Sequence, residues 1–123
     1  MSERIAVPLP KSYLLLNHGP TVLVSSAHGG RRNVMAAAWS MPLDFDPPKV
    51  AVVIDKATLT RELVAASGEF VLNVPSRAQA ALTLAAGSRG GREVDKFADP
   101  GARAAAAGVV GAPLIEGCLA WLE

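Results

Sequence analysis

A small antiparallel β-barrel, mainly strand with two or three short helices, is the fold class this sequence predicts. Three observations point there. Short apolar or alternating runs are separated by Gly- and Pro-bearing turns, and only two segments carry helical periodicity. No strand–helix–strand rhythm repeats along the chain, as a doubly wound parallel sheet would require. The 123 residues match one domain around a single core, and a hydrophobic fraction of 50% excludes wholesale disorder.

The elements follow in order. Residues 1–19 read as an N-terminal extension broken by Pro8 and Pro10. "PTVLVSSAH", from Pro20, is rich in β-branched residues and predicts a strand. "GGRR" turns the chain, and "NVMAAAWS" returns as the second strand of a hairpin, with a helix as the alternative because alanine is a poor strand former. After the "DPP" turn, "KVAVVID" (49–55) is nearly all apolar, the pattern of a strand buried on both faces.

Thr58 is placed to cap the helix "LTRELVAAS", with Leu59, Leu63 and Ala66 on one stripe and Gly68 as its stop. "EFVLNVP" (69–75) alternates Phe70, Leu72 and Val74 against Glu69, Val71 and Asn73, a strand closed by Pro75. Ser76 and Gln79 form a capping box, so "RAQAALTLAA" predicts a second helix ending at Gly87. "GSRGGRE" is a flexible connector. Its glycines resemble a phosphate loop, yet it follows a helix rather than a strand, which weakens that reading. "DPGARAAAAGVVGAP" is expected as loop and "LIEGCLAWLE" as a last strand.

Several function classes find no support. A net charge of +1, with Arg31–Arg32 and Arg89 with Arg92 as local pairs only, gives no electrostatic case for nucleic acid or an anionic membrane. No apolar run approaches the ~20 residues of a membrane span, and the start of the chain lacks a secretory apolar segment. A cytoplasmic protein is therefore the expectation. Cys118 is alone, which rules out a disulfide framework, and it has no neighbouring base to activate it. His18 and His28 lack acidic or thiol neighbours at ligand spacing, so no metal site is expected. Ser25, Ser26 and Ser40 sit in no nucleophile elbow, and Asp44 with Asp46 read as turn formers before Pro47–Pro48. No catalytic side chain emerges.

What remains is a site that binds. The small side chains Ala36, Ala37 and Ala38 let a flat ligand approach the backbone, and Asn33, Trp39 and Ser40 bracket that platform with polar and aromatic groups. Lys56, Thr58, Thr60 and Arg61 gather at a helix start, where free N–H groups and the helix dipole favour an anion, better a phosphate than a carboxylate. A flat heterocycle and a phosphate on one ligand point to a flavin nucleotide. Taken singly, each feature also has a plainer reading: tight strand packing, a helix cap, and solvated surface charges.

The order of motifs then carries a resemblance. "PTVLVSS", "NVMAAAWSMPLDFDPPKVAVVI", "TLTRELVAASGEFVLNVP", "DKF" and "APLIEGCLAWLE" together resemble the flavin reductase-like family of FMN-binding split barrels, from about Pro20 to the C-terminus. The resemblance implies a homodimer of split barrels (residues 20–123) holding FMN, or alternatively FAD, near the subunit interface. It implies that Asn33 to Ser40 contact the isoalloxazine and ribityl chain, and that Lys56, Thr58, Thr60 and Arg61 surround the phosphate. It further makes Asn73, among the cofactor-binding residues, the end of the strand beneath the flavin, with Lys96 and Phe97 closing over it.

The implied activity is hydride transfer from NADH or NADPH to the flavin, as the reductase partner of a monooxygenase or another electron acceptor. The alternative is a flavoredoxin-like electron carrier without its own nicotinamide site. A third reading is a barrel that holds no flavin and acts as an interaction module. In such chemistry the cofactor does the work, which accounts for the missing acid–base constellation. The sequence departs from the family pattern in one respect. Members continue past the position of Glu123 with a His-x-x-[FIL]-x-G-x-V-like strand that is absent here, so the expectation is either a fragment, with the barrel incomplete at its C-terminus, or a shortened member whose barrel closes differently.

Overall fold

A computed structural model describes residues 3–98 and 100–123. Asp99, the first residue of the loop expected at 99–113, lies outside the described residues, as do Met1 and Ser2 at the head of the expected extension. The chain opens with a 3₁₀ helix (Leu9–Leu15), followed by β1 (Val22–His28), β2 (Arg31–Ala37), β3 (Ser40–Phe45), β4 (Pro48–Val52), α1 (Leu59–Ser67) and β5 (Val71–Val74). A short 3₁₀ turn (Arg77–Gln79) leads into α2 (Ala80–Ser88), and the chain ends with β6 (Ala104–Ala105), β7 (Leu114–Ile115) and β8 (Ala120–Leu122). No helix is long and apolar enough to cross a membrane among the described residues.

The strands form antiparallel sheets: a four-stranded sheet in the order β2–β1–β5–β8, and two-stranded sheets β3–β4 and β6–β7. The expected sheet-rich class with short helices is what the chain adopts, although the described strands do not close into a barrel. β1 and β2 are joined by Gly29–Gly30 alone, both at positive φ (58° and 77°), and Arg31 already pairs with His28. A two-residue hairpin turn demands that left-handed pair, which glycine adopts without a Cβ penalty. The turn is therefore shorter than "GGRR", and Arg31 and Arg32 belong to β2. The strand reading of "NVMAAA" holds over the helical one because pairing along the whole length of β1 outweighs alanine's preference.

Each face of the four-stranded sheet buries its own cluster. Val22, Val24, Leu72 and Val74 pack with Leu16 beneath the β3–β4 hairpin, which contributes Val50 and Val52. Leu23 and Val34 pack on the opposite face with Ala86 of α2, Ile115 and Cys118. This double coverage explains why all four residues of β5 are buried, where alternation predicted an exposed set. The reverse holds for "KVAVVID": β4 ends at Val52, only half-buried, and Val53 is 59% exposed, because the hairpin lies on the outside of the sheet.

Three further differences have local causes. β3 was not legible as a strand because its Pro42 and Asp44 are poor strand formers; it pairs with β4 through an irregularity between Pro42 and Asp44. Thr58 caps α1 as expected, accepting the Arg61 N–H at 3.2 Å, and Leu59 and Leu63 are buried, but Ala66 faces solvent. The Ser76–Gln79 capping box forms, yet α2 continues through Gly87 to Ser88, since Gly87 is the residue that lets the helix lie against β2. The final segment is divided by a turn at Gly117 into β7 and β8 rather than running as one strand.

Candidate functional site

β2 is an edge strand of the four-stranded sheet, and the candidate site is built along that edge. With His28 and Arg31 as the pair next to the turn, antiparallel alternation turns the N–H and C=O groups of Arg32, Val34 and Ala36 away from β1. Of these three residues Ala36 lines a cleft of about 470 Å³, whereas Val34 is fully buried and Arg32 stands outside the lining. The cleft straddles the edge. α1 supplies one wall with Thr58, Leu59 and Thr60; the end of α2 and the following loop supply the other with Ala86 to Glu93 and Lys96; Asn33 and Ala36 form the floor.

Asn33 and Thr60 are tied together. Asn33 is 4% exposed and its Nδ2 donates to Thr60 Oγ1 at 3.0 Å, while Thr60 is fully buried. Because Thr60 accepts that bond, its own hydroxyl proton is left without an acceptor among the described residues, in a wall of the cleft. Leu59 and Thr60 also stand in the first turn of α1, where backbone N–H groups have no intrahelical partner. Thr58, by contrast, is fully used as a cap: it donates to the Asp55 carbonyl at 2.7 Å and accepts from Arg61 N–H.

Lys96 reaches the same cleft from the far side. Its Nζ donates to the Ala86 carbonyl at 2.9 Å, one of the carbonyls in the last turn of α2, which have no intrahelical donor. Burial holds its pKa below the ordinary lysine value, so the charged form is kept at a cost that an anion in the cleft would offset. Phe97 beside it is half-buried against the cluster of Leu23 and Ala86, and the Arg32 guanidinium lies 4.2 Å from its ring centroid.

Of the sequence-derived candidates, the structure thus gathers Asn33, Ala36, Thr58, Thr60 and Lys96 around one cleft. It places the others elsewhere. Ala37 points into the core beneath the hairpin, at 7% exposure, because neighbouring residues of a strand face opposite ways. Ala38 and Trp39 lie exposed beyond the end of β2. Ser40 begins β3 with its Oγ buried and without a partner. Lys56 and Arg61 are exposed and outside the lining. Asn73 does not reach the cleft: it is fully buried, its Nδ2 donating to the Leu23 carbonyl (2.9 Å) and Ser25 Oγ (3.0 Å) and its Oδ1 accepting Ile115 N–H (2.8 Å). That side chain is spent on joining β1, β5 and β7.

The 87–93 connector, expected to be flexible and only weakly a phosphate loop, supplies a wall of the cleft. The legible signal is its paired glycines between arginines. Gly91 lies directly on the Asn33 side chain, and a Cβ there would overlap the amide. Arg92 Nη2 meets Glu62 Oε2 at 2.6 Å, and Arg31 Nη1 meets Glu62 Oε1 at 3.1 Å. The Arg92 guanidinium, with a smaller contribution from Arg31, holds the Glu62 carboxyl below the usual range.

A second hollow of about 530 Å³ lies across Ala36, Gly87 and Ser88, bounded by Pro75, Ala80 and Leu84. A Cβ on Gly87 would approach Ala36 Cβ to 3.2 Å, so the small residues at 36 and 87 are matched to each other across the helix–strand contact.

Comparison with known proteins places the chain. The sequence profile of the flavin reductase like domain matches residues 15–123. An uncharacterized protein of Escherichia coli K12, YddH, is 49% identical over 126 residues, covering 100% of this chain and 67% of that protein. Among solved structures, an FMN-binding domain of a flavin reductases-like enzyme from Shewanella baltica superimposes with a TM-score of 0.92 at 49% identity, covering 96% of this chain and 62% of the other. The flavoredoxin of Desulfovibrio vulgaris gives 0.75 at 31% identity (94% and 61%). The flavin reductase component of a bacterial two-component tryptophan halogenase gives 0.66 at 27% (83% and 63%). The chain thus spans between 61% and 67% of the length of these relatives.

Proposed function

The chain belongs to the flavin reductase-like family, and on that premise we propose that it binds FMN in the β2–α1–α2 cleft and serves as an NAD(P)H:flavin oxidoreductase. The carrying observation is that Asn33, Thr60 and Lys96, remote in sequence, meet at one cleft along the free edge of β2. The donor set fits the cofactor. Thr60 offers a buried hydroxyl proton, Lys96 a partly buried cation held by the Ala86 carbonyl, and the first turn of α1 free N–H groups, all suited to a phosphate. The N–H and C=O groups of Ala36, turned away from β1, suit the edge of a flat heterocycle, and Ala36 presents only a methyl group beside it. FMN, rather than FAD, is favoured by the FMN-binding Shewanella structure.

Bound flavin would supply the redox chemistry, taking hydride from a nicotinamide. The chain's own part is to anchor and orient. Lys96 and the Thr60–Asn33 pair hold the anionic end, the β2 edge aligns the ring, and no side chain of the cleft is required as an acid or base. The exposed apolar outer side of the β3–β4 hairpin, Met41, Leu43 and Phe45, with Trp39 beside it, supports a homodimer. A monooxygenase-type acceptor of reduced flavin is supported by the halogenase reductase component.

A second reading has its own support. The Desulfovibrio flavoredoxin superimposes better than the halogenase reductase, 0.75 against 0.66, which favours an electron carrier that never meets a nicotinamide. Mixing the FMN-loaded protein with NADH or NADPH under anaerobic conditions separates the two. Rapid loss of flavin absorbance is expected of the reductase; colour that persists until a reduced protein partner is added overturns it in favour of the carrier.

A further inference from the structure

The wall of the cleft opposite α1 includes the loop 89–93, and its side-chain tie to α1 is a pair of charges. Within the loop, only backbone bonds from Glu93 and Val94 N–H to the Gly90 carbonyl (3.1 and 3.2 Å) shape the turn. Outward, Arg92 grips one oxygen of Glu62 while Arg31, on β2, grips the other. One carboxylate on α1 therefore joins the floor strand and the far wall. We infer that this Arg31–Glu62–Arg92 bridge sets the width of the cleft, and so the residence time of the flavin, making Glu62 a positioning residue that governs whether FMN stays as a bound group or leaves as a substrate. The inference rests on the reading that the cleft holds FMN, and it names the control of that same site.

The physics is specific. Two consecutive glycines, Gly90 and Gly91, give the loop little backbone stiffness of its own. Gly91 is pressed onto the Asn33 amide, a contact that needs the loop held in. Both guanidinium groups would repel each other without the carboxylate between them. All three side chains are about half exposed at the bridge, 48% for Glu62 and 50–52% for the arginines, so water and salt reach it. A bridge of that kind is a tuned, salt-sensitive clasp rather than a permanent weld.

The test uses the folded chain loaded with FMN, with dissociation followed as the return of free-flavin fluorescence after dilution. Glu62→Gln should release FMN about fivefold faster with an association rate changed less than about twofold, the signature of a clasp lost after binding rather than a docking group lost. Arg92→Gln should do the same, and the double variant should be no faster than the faster single, because both remove one interaction. Wild type in roughly 1 M salt should approach the variants, and the salt dependence of the double variant should shrink to the part that the FMN phosphate itself carries. Glu62→Gln dissociating at the wild-type rate, or effects that add in the double variant, overturns the inference while leaving FMN binding intact. Failure of wild type to take up FMN overturns the functional reading instead, and the inference with it. Should Glu62→Gln not fold, the salt series on wild type and Arg92→Gln decides.

Discussion

Replacing Asn73 by alanine separates scaffold from site. The resemblance counted Asn73 among the cofactor-binding residues; the structure spends its amide on three strands. Deletion leaves the Ile115 N–H, now bonded at 2.8 Å, without an acceptor in a fully buried position, and withdraws donors from the Leu23 carbonyl and Ser25 Oγ. A buried orphan of this kind costs about 2 kcal/mol, and the hollow left by the amide adds about 1 kcal/mol, for a total near 3 kcal/mol. With a urea slope of about 1.5 kcal/mol/M for a chain of this size, the unfolding midpoint should fall by about 2 M. The assay is urea unfolding followed by tryptophan fluorescence, beside FMN titration at zero urea. A midpoint shift under about 0.5 M together with loss of FMN binding would refute the assignment, since it would put the amide in the cleft rather than between the strands.

Other predictions follow from the same geometry. Thr60→Val, which keeps the shape and removes the buried hydroxyl, should weaken FMN binding by about tenfold, a charge-assisted hydrogen bond's worth, as read by fluorescence quenching. Lys96 favours the anion only while charged, so affinity should be full below its pKa and fall as pH rises through it. Because burial lowers that pKa, the fall should come at lower pH than for an exposed lysine, and Lys96→Arg should bind at high pH where wild type does not. Cys118, 7% exposed with its thiol pKa pushed up to about 11, should resist aromatic disulfide reagents at pH 8 in the folded chain and react at once in denaturant.

How much of this was legible beforehand depended on whether a residue's role is local. Thr58, Leu59, Leu63 and the Ser76–Gln79 box were readable because caps and stripes are decided within one turn of helix. Gly87 was misread as a stop for the converse reason: its use, lying against Ala36 of β2, is set by a partner far along the chain. The same holds for Lys56 and Arg61. Both sit at a helix start that attracts anions, but which way a surface cation turns is decided by neighbours the sequence does not order. β3 hid behind Pro42 and Asp44, because an outer hairpin tolerates residues that a central strand would not.

The candidate site was half visible. Asn33, Thr60 and Lys96 could be named from motifs, yet that they share one cleft is a fact of pairing and packing. Loop 89–93 escaped because its meaning comes from contact with Asn33 and Glu62, neither of which is near it in sequence. Asn73 looked like a site residue for the opposite reason: a polar side chain in an apolar strand signals either a ligand or a buried clamp, and only the three-strand junction distinguishes them.

The central claim is that the cleft along β2 grips a flavin nucleotide by its phosphate. Equilibrium titration of FMN against riboflavin, which lacks the phosphate, tests it most directly. Saturable quenching by FMN at one per chain is expected, with riboflavin weaker by about a hundredfold for a lost charge-assisted contact set, and with that preference lost in Thr60→Val combined with Lys96→Met. Equal affinity for the two ligands, or a preference unchanged in the double variant, would contradict it.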